Sequence, residues 1–197
     1  MRPAIAPRRR RWLTPAARCW RTTAARYWPA TTHRAGPPFD LPRKDNWYRL
    51  TVDATRMSPD PVTWMLGARV TSDWRFRSGH EKSAAAARLL DLDYRLPLTG
   101  ENAADAGKPL DYTVGLTAQG SQRALPIASL KVWYATDGTD WKQAKAARGA
   151  DGRWKVTVPS AGTAKVDLRT TVTDTTGASL TETLIDAYNS GCADIWC

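Results

Sequence analysis

From Leu89 onward, apolar and polar side chains alternate in short runs broken by Gly, Pro, Asp and Asn, which is the period of a half-buried strand rather than of a helix. The clearest run is Leu130-Lys131-Val132-Trp133-Tyr134, followed by an Asp137-Gly138 turn and a return strand opened by Trp141. A second turn, Gly149-Ala150-Asp151-Gly152, leads into Trp154-Lys155-Val156-Thr157-Val158, so this stretch reads as a β-meander. Strands are predicted at 89–96, 110–118, 129–135, 140–146, 153–158, 165–174 and 179–188. On them Leu110, Tyr112, Val114 and Leu116 share one face, as do Val166, Leu168 and Val172. Gly115, inside such a run, marks a bulge or a close backbone approach.

Seven strands in about a hundred residues is the count of an all-β sandwich of fibronectin-III or immunoglobulin-like type, although the paired core cysteines of antibody domains are absent. Upstream, Trp47 to Asp53 and Thr63 to Thr71 also alternate, and Trp74-Arg75-Phe76 follows. These read as three short strands, too few for an independently stable sheet, and so as a partial β fragment over 46–78. The polar, small-residue stretch His80 to Ala87 reads as a linker. The expected division is a tail over 1–45, the fragment over 46–78, a linker over 79–88, the sandwich over 89–188 and a C-terminal tail over 189–197.

The net charge of +10 matters only through its location. Residues 1–49 hold 12 Lys+Arg and 2 Asp+Glu, whereas residues 50–197 hold 17 of each. The strand-forming part is therefore neutral and carries no basic face by composition. The tail is rich in Arg, Ala, Thr, Pro and Trp without apolar period, so disorder is expected there. Three readings stay open for it: a phosphate-binding arm on nucleic acid, an Arg/Trp segment on anionic membranes, or a leader translated from a wrong start or frame. Its basic opening is not followed by an apolar stretch, and no run reaches the ~18 apolar residues of a membrane span. Neither an export signal nor an anchor is expected from these residues.

Of the three cysteines, Cys19 lies in the tail, while Cys192 and Cys197 could close a small disulfide loop in an oxidising compartment or stay free on a frayed end. His33 and His80 are isolated, and no Cys/His spacing suits a metal, so no cofactor is expected.

Residues 47–188 resemble a known family. Leu92-Asp93-Tyr94-Arg95-Leu96-Pro97-Leu98, Leu130 to Trp141, Val166-Asp167-Leu168-Arg169 to Asp174, and Thr183 to Tyr188 look like the C-terminal β-sandwich of large secreted subtilisin-like serine peptidases of actinomycetes. Tyr48-Arg49-Leu50 to Ser78 is similar to the end of the β domain preceding that sandwich. The chain departs from the family pattern at Ala135-Thr136, where a serine is expected, and in continuing past Tyr188. The peptidase motifs are missing: Asp174-Thr175-Thr176-Gly177 has one residue too many, and neither histidine nor any serine has the required neighbours. The resemblance implies a truncated, non-catalytic accessory piece of a secreted enzyme that stabilises the parent or engages a surface.

A second reading is a carbohydrate or cell-wall binding module in which Trp133, Trp141 and Trp154 stack on sugars; the competing role for them is to cover the edges of a small core. Asp137-Gly138-Thr139-Asp140-Trp141 is similar to the Asp-box hairpin of sialidases with one residue missing. In that hairpin Asp and Gly hold the turn and Trp anchors it, a structural role. Calcium on Asp137 and Asp140 would lack further acidic partners. Asp91 and Asp93 share a strand face, as a solvated pair rather than as an acid couple.

Overall fold

The computed structural model describes residues 16–21 (backbone only), 44–55, 67, 69–80, 87–99, 102–105, 107–162 and 164–191. Among the described residues twelve strands follow one another and none is helical: β1 (Ala16–Arg21), β2 (Asn46–Thr55), β3 (Arg69–Ser78), β4 (Leu90–Arg95), β5 (Ala103–Ala104), β6 (Leu110–Ala118), β7 (Ile127–Ala135), β8 (Lys142–Gln143), β9 (Lys145–Arg148), β10 (Trp154–Val158), β11 (Ala164–Asp174) and β12 (Ser179–Ser190). The larger sheet has the order β1-β2-β3-β12-β11-β7-β8, with β5 added in parallel to the end of β12; the smaller has the order β4-β6-β10-β9. All other pairings are antiparallel.

The two sheets share one apolar core, because each strand's period-two pattern turns its branched residues toward the other sheet. Leu110, Tyr112, Val114 and Leu116 on β6 and Val156 and Val158 on β10 meet Leu130 and Val132 on β7, Leu168 and Val172 on β11 and Leu180 on β12. The two shared faces expected from the sequence are thus buried as sets.

Four expectations are corrected. Residues 46–78 do not form a separate fragment of three strands. Within them β2 and β3 pair antiparallel as the two strands of a long hairpin, and β3 pairs with β12 from Arg69↔Ile185 to Arg75↔Ser179 and so extends the sandwich's own sheet; positions 63–66 and 68 of the expected middle strand lie outside the described residues. The hairpin turns Tyr48 and Phe76 inward, and the Trp74 Nε1–H donates to the Leu90 carbonyl at 2.7 Å, tying it to the other sheet across the expected linker. Buried area, which strand count alone does not reveal, makes it part of the fold.

The tail expected to be disordered contributes β1, which pairs along β2 from Ala16↔Asp53 to Arg21↔Tyr48. An open strand edge offers unpaired N–H and C=O groups that recruit backbone whatever its side-chain period. Residues 130–158 are not a meander within one sheet. After a short pairing of β8 with β7, the chain passes through buried Ala144 to the smaller sheet, where β9 pairs with β10. The expected C-terminal tail begins later than 189, since Asn189 and Ser190 pair with Ala103 and Ala104.

That last pairing depends on a bulge. Between Val166 and Leu168 the β11–β12 register shifts, and Asp186 opposite adopts a left-handed φ of 54°. Buried Asp167 accepts the Asp186 N–H at 2.7 Å, which stabilises the kink. The bend lets β12 leave β3 and meet β5. Among the described residues, no helix is long and apolar enough to cross a membrane.

Candidate functional site

On the larger sheet Leu168, Thr170 and Val172 face the core, so Arg169, Thr171 and Thr173 face outward. Register places Trp133 beside Arg169 on β7 and Thr183 beside it on β12. Trp141, just before β8, brings its ring beneath the Arg169 guanidinium, 4.0 Å from the ring centre, while Arg169 Nε donates to Thr183 Oγ1 at 3.3 Å. The sheet thus gathers two of the three predicted tryptophans, Trp133 and Trp141, on one outer surface, with Arg169 stacked on Trp141 and opposite Trp133 in register.

Trp154 is not among them. It shares parity with Val156 and Val158, packs against the core from the smaller sheet, and buries its indole N–H without a partner among the described residues. A three-tryptophan platform is therefore corrected to a pair, because residue 154 sits on an inward position of a strand in the opposite sheet. Cys192 and Cys197, the candidate disulfide, lie outside the described residues.

The outer surface continues across β12 to the hairpin. Thr171 and Thr181 hydroxyls meet at 3.0 Å, and beyond them Asp73 pairs with Arg49 and Asp53 with Arg69. At the far end the Arg75 guanidinium lies 4.2 Å from the centre of the Trp47 ring. Both Arg75 and Arg169 stack on an indole, and neither has a carboxylate in ion-pair contact among the described residues.

The turn before Trp141 has the structural role expected of it. Asp137 Oδ1 accepts the N–H groups of Asp140 and Thr139, each at 2.8 Å, and these bonds hold its carboxyl below the usual range. Gly138 takes a φ of 75°, which a side chain would oppose. Asp140 pairs with Lys142 at 3.3 Å.

The outer face of the smaller sheet carries an open groove of about 890 Å³, lined by Asp91, Asp93, Arg95, Arg148, Asp151 and Arg153 among others. Arg153 is committed to the fold. Its guanidinium lies over Gly115, with Nη1 on Asp93 Oδ2 at 2.5 Å, Nη2 on the Asp93 carbonyl at 2.7 Å and Nε on Thr113 Oγ1 at 3.0 Å. This explains Gly115: the close approach is made by a side chain, and the ladder there shows no bulge. Asp93 is thus tied to an arginine, while Asp91 remains exposed.

Between the sheets sits Glu182, whose inward position among Leu180 and Leu184 was legible from strand parity. Burial is the main cause that raises its carboxyl above the ordinary range, with Asp91 adding to it; Tyr94 and Ser72, which face it, partly offset the shift. No protein-family model, no curated protein and no solved structure matches this chain.

Proposed function

We propose that the chain is a non-catalytic accessory β-sandwich of fibronectin-III or immunoglobulin-like kind, a piece of a secreted subtilisin-like serine peptidase that engages a surface or stabilises its parent. The observation carrying this reading is strand order. In immunoglobulin constant-type domains the strands lie as A-B-E-D on one sheet and C-F-G on the other. Lettering β4, β6, β7, β9, β10, β11 and β12 from A to G supports it, since these seven strands follow that order, with β8 added beside C and β3, β2, β1 and β5 added beside G. The sequence resemblance over residues 47–188 supplies the parentage and, with it, secretion. The coding DNA upstream tests it: a frame, in phase or shifted, encoding the missing peptidase motifs is expected, and an unrelated complete gene there removes the parentage. Peptide hydrolysis by the purified chain that vanishes in His80→Ala would remove the non-catalytic assignment.

A second reading, a carbohydrate or cell-wall binding module, is favoured by the shared outer face of Trp133 and Trp141. It predicts quenching of tryptophan fluorescence by polysaccharide that is lost in Trp133→Ala. Loss only in Trp154→Ala would count against it, since that ring points inward.

A further inference from the structure

We propose that the outer face of the larger sheet binds a carboxylate-bearing, uronate-type polysaccharide, with Arg169 and Arg75 gripping its acid groups; this deepens the surface-engaging reading and rests on it. A neutral sugar stacks on an exposed aromatic face, but Trp141 and Trp47 each already carry a guanidinium at 4.0 and 4.2 Å from the ring centre. A guanidinium lying on an indole is held in orientation while its edge can still direct two parallel N–H donors at a carboxylate. Arg49 and Arg69 have their carboxylates in Asp73 and Asp53, whereas Arg75 and Arg169 have none in ion-pair contact among the described residues. The surface therefore presents two oriented cations that fit anionic groups from outside.

Spacing selects the polymer. Arg75 opposes Ser179, Ser179 opposes Thr173, and Arg169 lies four residues back along β11. Two strands across and four residues along place the Cα positions of the two arginines roughly 16 Å apart. DNA carries a charge every ~1.7 Å of helix axis and is met by dense basic patches, whereas residues 50–197 are neutral overall. A sparse polyanion with hydroxyls between its acid groups suits the threonines that separate the arginines: Thr171, Thr173, Thr181 and Thr183. Their hydroxyls offer donors and acceptors to a sugar chain lying flat across β11 and β12.

Affinity electrophoresis of the full chain in gels containing polygalacturonate, its methyl ester, dextran or duplex DNA tests this. Polygalacturonate should retard the protein while methyl ester and dextran do not, and Arg169→Gln or Arg75→Gln should each weaken retardation about tenfold or more. Arg169→Lys should fail to restore it, because an ammonium cannot make the planar fork. A double substitution in the basic tail, R8Q/R9Q, should leave the arginine dependence intact. Equal retardation by methyl ester, lost in Trp133→Ala, would overturn the acid-specific proposal yet leave surface engagement standing. No retardation by any glycan would overturn both. Retardation that follows R8Q/R9Q or DNA, and ignores Arg169→Gln, would overturn the proposal and assign the charge effect to the tail.

Discussion

Trp74 is where the hairpin and the sandwich can be shown to fold as one unit. Its ring packs against the core from β3, and its Nε1–H donates at 2.7 Å to the carbonyl of Leu90 on β4, an outer strand of the smaller sheet. Trp74→Phe keeps an aromatic body but removes the donor, leaving the carbonyl of a residue only 3% exposed without that partner. An orphaned buried acceptor costs about 1–3 kcal/mol, and the smaller ring forfeits about 1 kcal/mol of burial, so a loss of about 2–4 kcal/mol is expected. For a unit of this size that lowers Tm by about 5–10 °C. Urea denaturation followed by near-UV circular dichroism should show one transition, with the midpoint lowered and the slope unchanged. Amide exchange in β6 and β7 should quicken by the same free energy, because both strands belong to the core that the hairpin covers. Were the hairpin an independent unit beyond a linker, two transitions would appear, or β6 and β7 would keep wild-type protection in the variant. Either result refutes the shared core.

Three further outcomes follow from local geometry. Gly115→Ala places a methyl 2.5 Å from Arg153 Nη1; it should cost about 1–3 kcal/mol by overpacking, and in an Arg153→Met background the penalty should largely disappear, which a double-mutant cycle measures. Asp174 Oδ1 accepts from the N–H groups of Thr176 and Ala178 and from Thr176 Oγ1, at 2.8, 3.0 and 2.7 Å; Asp174→Ala should cost about 2 kcal/mol, with Asp174→Asn recovering part of it by retaining an oxygen acceptor. Glu182 has a folded pKa raised above the ordinary 4.5, so the wild type is most stable with this group neutral and loses that stability as pH rises through the folded value. Glu182→Gln should therefore match wild type near pH 4 and gain on it toward pH 7; an advantage that shrinks with rising pH would contradict the burial of this carboxyl.

How much was legible follows from what each feature depends on. Strand positions from Leu89 to Tyr188 are local: alternation and turn residues mark β6 and β11 almost to the residue, because a period of two puts a whole set of side chains on one face. The Asp137-Gly138 turn is local for the same reason, since its bonds reach only three residues. Glu182 was not singled out, although it shares the parity of Leu180 and Leu184.

What the order of residues could not reveal is which strand lies beside which, and from where a distant side chain arrives. Gly115 signals that something comes near, but only the β6–β10 register makes it Arg153. Trp133, Trp141 and Trp154 look alike along the chain; the sheet switch at Ala144 separates Trp154 from the other two, and the β7–β11 register supplies Arg169. Residues 46–78 have the pattern of strands but not their destination, which was settled by the edge of β12 and the apolar area that β3 covers there. Alternation is encoded within a few neighbouring residues, whereas strand partnership depends on burial summed over segments a hundred residues apart. From Leu89 to Tyr188 the sequence therefore determined most of the strands and their inward faces, and the tertiary structure alone decided β1, the split between β8 and β9, the sheets and the surface they build.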